Sequence, residues 1–159
     1  MSTVVYVTAK GKKMLEDQLA ELISQRGDAA AAISEARSFG DLKENAEYVA
    51  ARDNQAELES RIDVIKDRLQ NIKTFAYVKA DTTKVSIGTC VEIQATTGSK
   101  STQKWIITGI VESDPANNYI SNESPLAKAL LGKKVGEIAE IHVPTGSSKY
   151  KIVKITVGA

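Results

Sequence analysis

Histidine and cysteine occur once each, as His142 and Cys90. A disulfide framework, a Cys/His zinc site and a working pair of histidines are therefore excluded, and both residues read as ordinary filler of core or surface. Aromatic residues make up only 5% of the chain, and beyond Asp81 the large rings are Trp105, Tyr119 and Tyr150. No run approaches the roughly 20 apolar residues of a membrane span, and the amino terminus "MSTVVYVTAKGKK" has no signal-peptide apolar segment. A cytoplasmic protein without membrane contact is expected, which makes the sequon Asn122-Glu123-Ser124 an accidental match. Excess charge is lacking too: the formal net charge over 159 residues is +1. Contact with nucleic acid would then rest on a local basic patch and not on the whole molecule.

What is present divides by texture near residues 75 to 81. Before that point proline is absent and Ala, Leu, Glu, Lys, Arg and Gln dominate. After it come β-branched residues, turn residues and all three prolines. The expected fold class is α+β, with an N-terminal antiparallel α-helical coiled-coil hairpin over 1–75, a linker over 76–80 and a globular domain over 81–159.

Thr8 is a plausible N-cap for the first helix. Leu15, Leu19, Leu22, Arg26, Ala29, Ile33 and Ala36 then recur in steps of four and three. Tyr48, Ala51, Gln55, Leu58, Ile62, Ile65, Leu69 and Ile72 do the same. These are two a/d seams, each with one polar interruption, and the short link between them forces the arms antiparallel. Arms of about 30 residues would reach on the order of 45 Å. Leu and Ile fill the seam at one end, whereas "DAAAAISEA" (28 to 36), Ala46, Ala50 and Ala51 make it small near the turn. Small seam residues allow close backbone approach and a narrow tip, although alanine's helix propensity explains the same letters.

In the second part "TCVEIQAT", "KWIITGIV", "EIAEIHV" and "KYKIVKITV" read as strands, and "SPLAKALLGKKVG" as one helix stopped by Gly132. Trp105 reads as a core residue. Antiparallel strands wrapping one helix make a small α+β domain.

The turn between the arms is "GDLKENAEY" (40 to 48). Asp41 and Glu44 fit a capping box opening the second helix. Glu47 follows Glu44 by three residues, so acids cluster beyond what a cap requires. Carboxylates in reach of one another repel, and a hard cation such as Mg²⁺, which takes one or two protein carboxylates and keeps several waters, relieves that repulsion. Both readings remain open from these residues alone.

The stretch "EARSFGDLKENAEYVAARDNQ" (35 to 55) resembles the tip signature of the bacterial Gre transcript-cleavage factors, and "SPLAKALLGKKVGEIAEIHVP" resembles that family's second domain. The resemblance covers nearly the whole chain. It implies a coiled coil joined to a domain similar to FK506-binding proteins, and an accessory factor for bacterial RNA polymerase that is not itself an enzyme. The hairpin would pass through the secondary channel to the nascent RNA 3′ end of a backtracked complex, where Asp41 and Glu44 match the catalytic acidic pair that helps hold a second Mg²⁺ shared with the polymerase. Arg37 and Arg52 match positions facing the extruded RNA, and Asn122, Glu123, Ser124 and Pro125 fall in the docking surface. The free protein would be a monomer holding no metal. The second helix lacks the broad basic face of the family's B type and so resembles the A type. A channel-binding regulator without cleavage would show an altered tip; a peptidyl-prolyl isomerase would need an aromatic-lined pocket; a dimerisation hairpin leaves the acids unexplained.

Overall fold

The computed structural model describes residues 4–40, 45–98, 101–144 and 146–158. Its elements run β1 (Val5–Val7), α1 (Ala9–Ser24), α2 (Arg26–Arg37), α3 (Ala46–Gln70), β2 (Ile72–Thr74), β3 (Thr89–Ala95), β4 (Thr102–Thr108), β5 (Tyr119–Ser121), α4 (Pro125–Leu130), β6 (Ile138–Val143) and β7 (Gly146–Val157). They fall into two compact units, one containing Lys12–Asn71 and the other Val4–Gly11 together with Ile72 onward.

The helical unit is a hairpin whose first arm is α1 followed by α2 and whose second is α3. The seam expected from the spacing is the seam that is covered: Leu15, Ala36, Tyr48, Ala51, Leu58, Ile62 and Ile65 are buried, and Leu19, Leu22, Ala29, Ile33, Gln55 and Leu69 are half-buried. Arg26, the polar interruption in the first arm, lies beside Glu59 of the second, with Nε at 2.8 Å from Oε1 and Nη2 at 2.9 Å from Oε2. This bidentate pair holds the Glu59 carboxyl below its usual range. Close backbone approach is concentrated between α2 and α3, the alanine-rich half, as small seam residues require. The same small side chains leave a shallow groove lined by Ala29, Ala32, Ala51 and Leu58.

The first arm is interrupted at Gln25. Two local causes coincide there. The Ser24 hydroxyl donates back to the Glu21 carbonyl at 2.5 Å, and Gly27 follows with no packing to offset its weak helix propensity.

The second unit is built on a five-stranded sheet of order β5-β4-β3-β7-β6. The pairs β3–β4, β3–β7 and β6–β7 are antiparallel. The sheet is nevertheless mixed, because the edge strand β5 pairs parallel with β4 through Ile106–Tyr119 and Ile107–Ile120. Alternation places Thr89, Val91 and Ile93 of β3 inward. Val91 and Ile93 join Val85, Ile107, Ile120, Ile152 and Ile155 in one core, capped by Ala127 and Leu130 of α4 and flanked by Trp105 and Tyr150. Trp105 is thus core-associated as expected, its indole N–H donating to Gln103 at 3.0 Å. The helix is shorter than its sequence pattern, since Leu131 already leaves helical geometry at ψ 132°.

Two short strands missing from the sequence reading complete this unit. β1 and β2 pair parallel, Val5 with Ile72 and Val7 with Thr74. The division drawn after residue 75 therefore differs from the observed one: both the first strand and residues 72–75 lie with the sheet, and the expected linker carries a 3₁₀ turn, Tyr77–Lys79. Thr8 does cap α1, its Oγ1 accepting from the Gly11 amide at 3.1 Å. Its hydroxyl in turn donates to Glu112, and its amide donates to Glu112 Oε2 at 2.9 Å. A carboxylate at a helix amino terminus satisfies free N–H groups and complements the dipole there. Among the described residues no helix is long and apolar enough to cross a membrane.

Candidate functional site

Two of the predicted site residues, Arg37 and Arg52, lie toward the turn end of the hairpin. α2 runs to Arg37, and the Ser38 and Phe39 amides close its last turn on Glu35 and Ala36. Phe39 is 62% exposed. Gly40 follows with φ +128°, a conformation that favours glycine, while nothing would crowd a side chain there. Asp41, Leu42, Lys43 and Glu44 lie outside the described residues, and with them both members of the expected acidic pair.

The second arm resumes at Asn45, and the cap of α3 is this residue. Its backbone is extended at φ −86° and ψ 101°, and its Oδ1 accepts from the amides of Glu47 at 3.0 Å and Tyr48 at 3.2 Å. The capping box expected from Asp41 and Glu44 is therefore not the cap of α3. Asparagine caps a helix as well as aspartate does, and it can donate as well as accept. Here Nδ2 reaches the Ala36 carbonyl at 2.7 Å, tying the first helix of the tip to the next.

Arg37 and Arg52 come together on one side chain. Their guanidinium carbons lie 5.8 Å and 5.9 Å from the ring centroid of Tyr48. Hydrogen bonding from Arg37, then from Arg52, holds the Tyr48 phenol below its ordinary range against the opposing effect of burial. Both guanidiniums are exposed, whereas Tyr48 is buried. Glu47 is exposed as well. Among the described residues no three metal-ligating side chains converge.

In the sheet unit Asn122, Glu123, Ser124 and Pro125 form one continuous turn at the start of α4. The Asn122 amide donates to Thr108 at 2.8 Å and the Ser124 amide to Ser121 at 2.9 Å. The Ser124 hydroxyl caps α4 by accepting from Ala127 at 3.2 Å, with Pro125 in the first turn. This leaves Glu123 and Pro125 exposed on a firmly bonded backbone. The nearby aromatics serve packing: Phe75 and Tyr77 meet edge to face at 5.2 Å, and Tyr77 and Tyr119 at 6.3 Å.

Sequence reasoning missed Asn45 as the cap of α3 and the meeting of two arginines on Tyr48. A signal for the first was present, since asparagine before Ala-Glu-Tyr is itself a good helix start. Tyr48 lies in the seam as its spacing implies; its contact with Arg52 has the i, i+4 spacing of helix neighbours, whereas its contact with Arg37 has no sequence signature.

The family model for the N-terminal domain of transcription elongation factors matches residues 5–73, and that for the C-terminal domain of GreA/GreB transcription elongation factors matches 80–157. The class of protein is therefore a transcription elongation factor. The transcription elongation factor GreA of Thermoanaerobacter pseudethanolicus is 42% identical over 156 residues, covering 98% of this chain and 99% of its own. That of Caldanaerobacter subterraneus is 43% identical over the same coverage. Among solved structures, GreA factor homolog 1 of Thermus thermophilus is 24% identical over 96% of this chain and 99% of its own, with a TM-score of 0.45. The chain belongs to the GreA/GreB family of transcription elongation factors.

Proposed function

We propose that the hairpin enters the secondary channel of bacterial RNA polymerase and stimulates endonucleolytic cleavage of the nascent RNA 3′ end in backtracked, arrested complexes. The observation that carries this reading is the division of labour at the tip. Asn45 caps α3, so that helix start does not depend on Asp41 or Glu44. Within the same few residues Arg37 and Arg52 converge on Tyr48.

In this reading the protein is an accessory factor and the polymerase performs the hydrolysis. Asp41 and Glu44 supply an incomplete oxygen ligand set, which the polymerase's own carboxylates complete around a second Mg²⁺. That ion, when bound, lowers the pKa of a water and stabilises charge on the oxygens of the scissile phosphate. Arg37 and Arg52 hold the displaced RNA, and the narrow alanine-rich part of the hairpin suits passage through a pore. Asn122, Glu123, Ser124 and Pro125 present the docking surface. The free protein is a cytoplasmic monomer.

The test is RNA cleavage in a backtracked elongation complex with and without the protein, alongside a polymerase-binding assay. Shortening of the RNA from its 3′ end followed by resumed synthesis supports the proposal. Binding without cleavage would make the protein a channel-occupying regulator instead.

A further inference from the structure

Tyr48 sits in the first turn of α3 and is only 9% exposed. Arg52 follows it by four residues on the same helix, one turn away on the same face. Arg37 reaches it from the end of α2. The guanidinium carbons lie 5.8 Å and 5.9 Å from one ring centroid, so they can be no farther apart than those two distances combined. Two cations brought this close repel each other. The electron-rich ring and the phenol oxygen, which both guanidiniums contact, offset that repulsion.

The other arginine contacts on this hairpin differ. Arg26 pairs with Glu59 and Arg61 with Glu57. Among the described residues neither Arg37 nor Arg52 has a carboxylate at ion-pair distance. Arg37 and Arg52 are exposed, so an external anion can reach their N–H groups, and planar guanidinium forks match the oxygens of a phosphodiester.

We propose that Tyr48 is a positioning residue that holds Arg37 and Arg52 as a two-guanidinium clamp for a phosphate of the displaced RNA. This rests on the cleavage reading given above. It adds a residue that does not touch RNA itself, and it assigns the two arginines to one ligand group and not to two independent contacts.

The experiment is a mutant cycle in the full chain with backtracked elongation complexes, reading the maximal cleavage rate separately from the protein concentration that half-saturates it. Tyr48→Leu removes the ring and Tyr48→Phe only the oxygen. Tyr48→Leu should lower the maximal rate about threefold to tenfold with unchanged half-saturation, the loss of two exposed cation–ring contacts. Tyr48→Phe should fall between it and the parent. In an Arg37→Ala/Arg52→Ala background, removing the ring should have no further effect, because a residue acting only through the arginines has nothing left to position. The same fractional loss from Tyr48→Leu in both backgrounds would overturn the positioning role and leave the cleavage reading standing. Cleavage by the double arginine variant equal to the parent would overturn the clamp together with the RNA role of the arginines. Should Tyr48→Leu fail to fold, Tyr48→Phe carries the same cycle, and a loss that persists without the arginines would equally overturn the proposal.

Discussion

The side-chain amide of Asn45 donates to the carbonyl of Ala36 at 2.7 Å, while its oxygen caps α3. One residue thus closes the carboxyl end of α2 and opens the amino end of α3. Asn45→Ala removes both functions and should cost about 1–2 kcal/mol in denaturant unfolding followed by helical circular dichroism. Asn45→Asp keeps the cap and loses only the bond to Ala36, so its midpoint should lie between parent and alanine variant. Equal midpoints for all three would show that the bridge contributes nothing.

Asp41→Asn and Glu44→Gln separate a structural from a chemical role for the acids. Because the cap of α3 is Asn45, both variants should melt with the parent and bind polymerase normally. Cleavage at limiting Mg²⁺ should nevertheless fall by about tenfold or more, with added Mg²⁺ restoring part of it by mass action. Full activity at limiting Mg²⁺ would remove the carboxylates from the mechanism.

The two tyrosines with shifted ionisation respond oppositely to pH. Hydrogen bonding from Arg37 lowers Tyr48, while burial raises Tyr77, whose hydroxyl lies 3.0 Å from that of Thr108. For Tyr48 the associated stabilisation exists above the unfolded phenol value of about 10 and is lost as pH falls through the lower folded value. For Tyr77 it is fully present below about 10 and is lost as pH rises through the raised folded value. Ultraviolet titration should therefore show one early and one late phenol. Replacing Arg37 and Arg52 by alanine should move the early step upward and leave the late one in place.

Gly109→Ala probes the sheet unit. A Cβ there would lie 1.6 Å from the Tyr6 carbonyl oxygen. The backbone is in an ordinary region at φ −83°, so the demand is for space alone. Separating β1 from this segment should cost about 3 kcal/mol or more. A melting temperature within a degree of the parent would show that the contact gives way freely.

The hairpin seams were legible because a 3.6-residue period repeated over many turns leaves only one face to bury. The longer strands were legible through alternation, β3 most clearly. β1 and β2 were not, since three residues are too few to show a period and their pairing joins positions 67 apart in register, Val5 with Ile72. At the tip, two start signals compete within five residues: Asp41 with Glu44, and Asn45 alone. Spacing favours the first, and only the backbone angles of Asn45 decide for the second. Tyr48 and Arg52 stand four residues apart on α3, a spacing the sequence does show, but Arg37 reaches the ring from α2, and no local pattern reveals that meeting of two arms.

The parallel pairing of β1 with β2 also bears on how the chain is made. Residues 5–7 leave the ribosome long before their strand partner, 72–74, and before Glu112, which holds Thr8 across 104 residues. The amino-terminal strand must therefore wait, exposed, while the helical hairpin and much of the sheet are synthesised. Contacts of such separation form slowly because a long loop must close before they yield any stabilisation. The hairpin, whose arms meet through a short turn, can form early and bring the two strands near each other. A strand made early is thus among the last to find its place, and a fusion partner attached beside it would encumber the final step of folding.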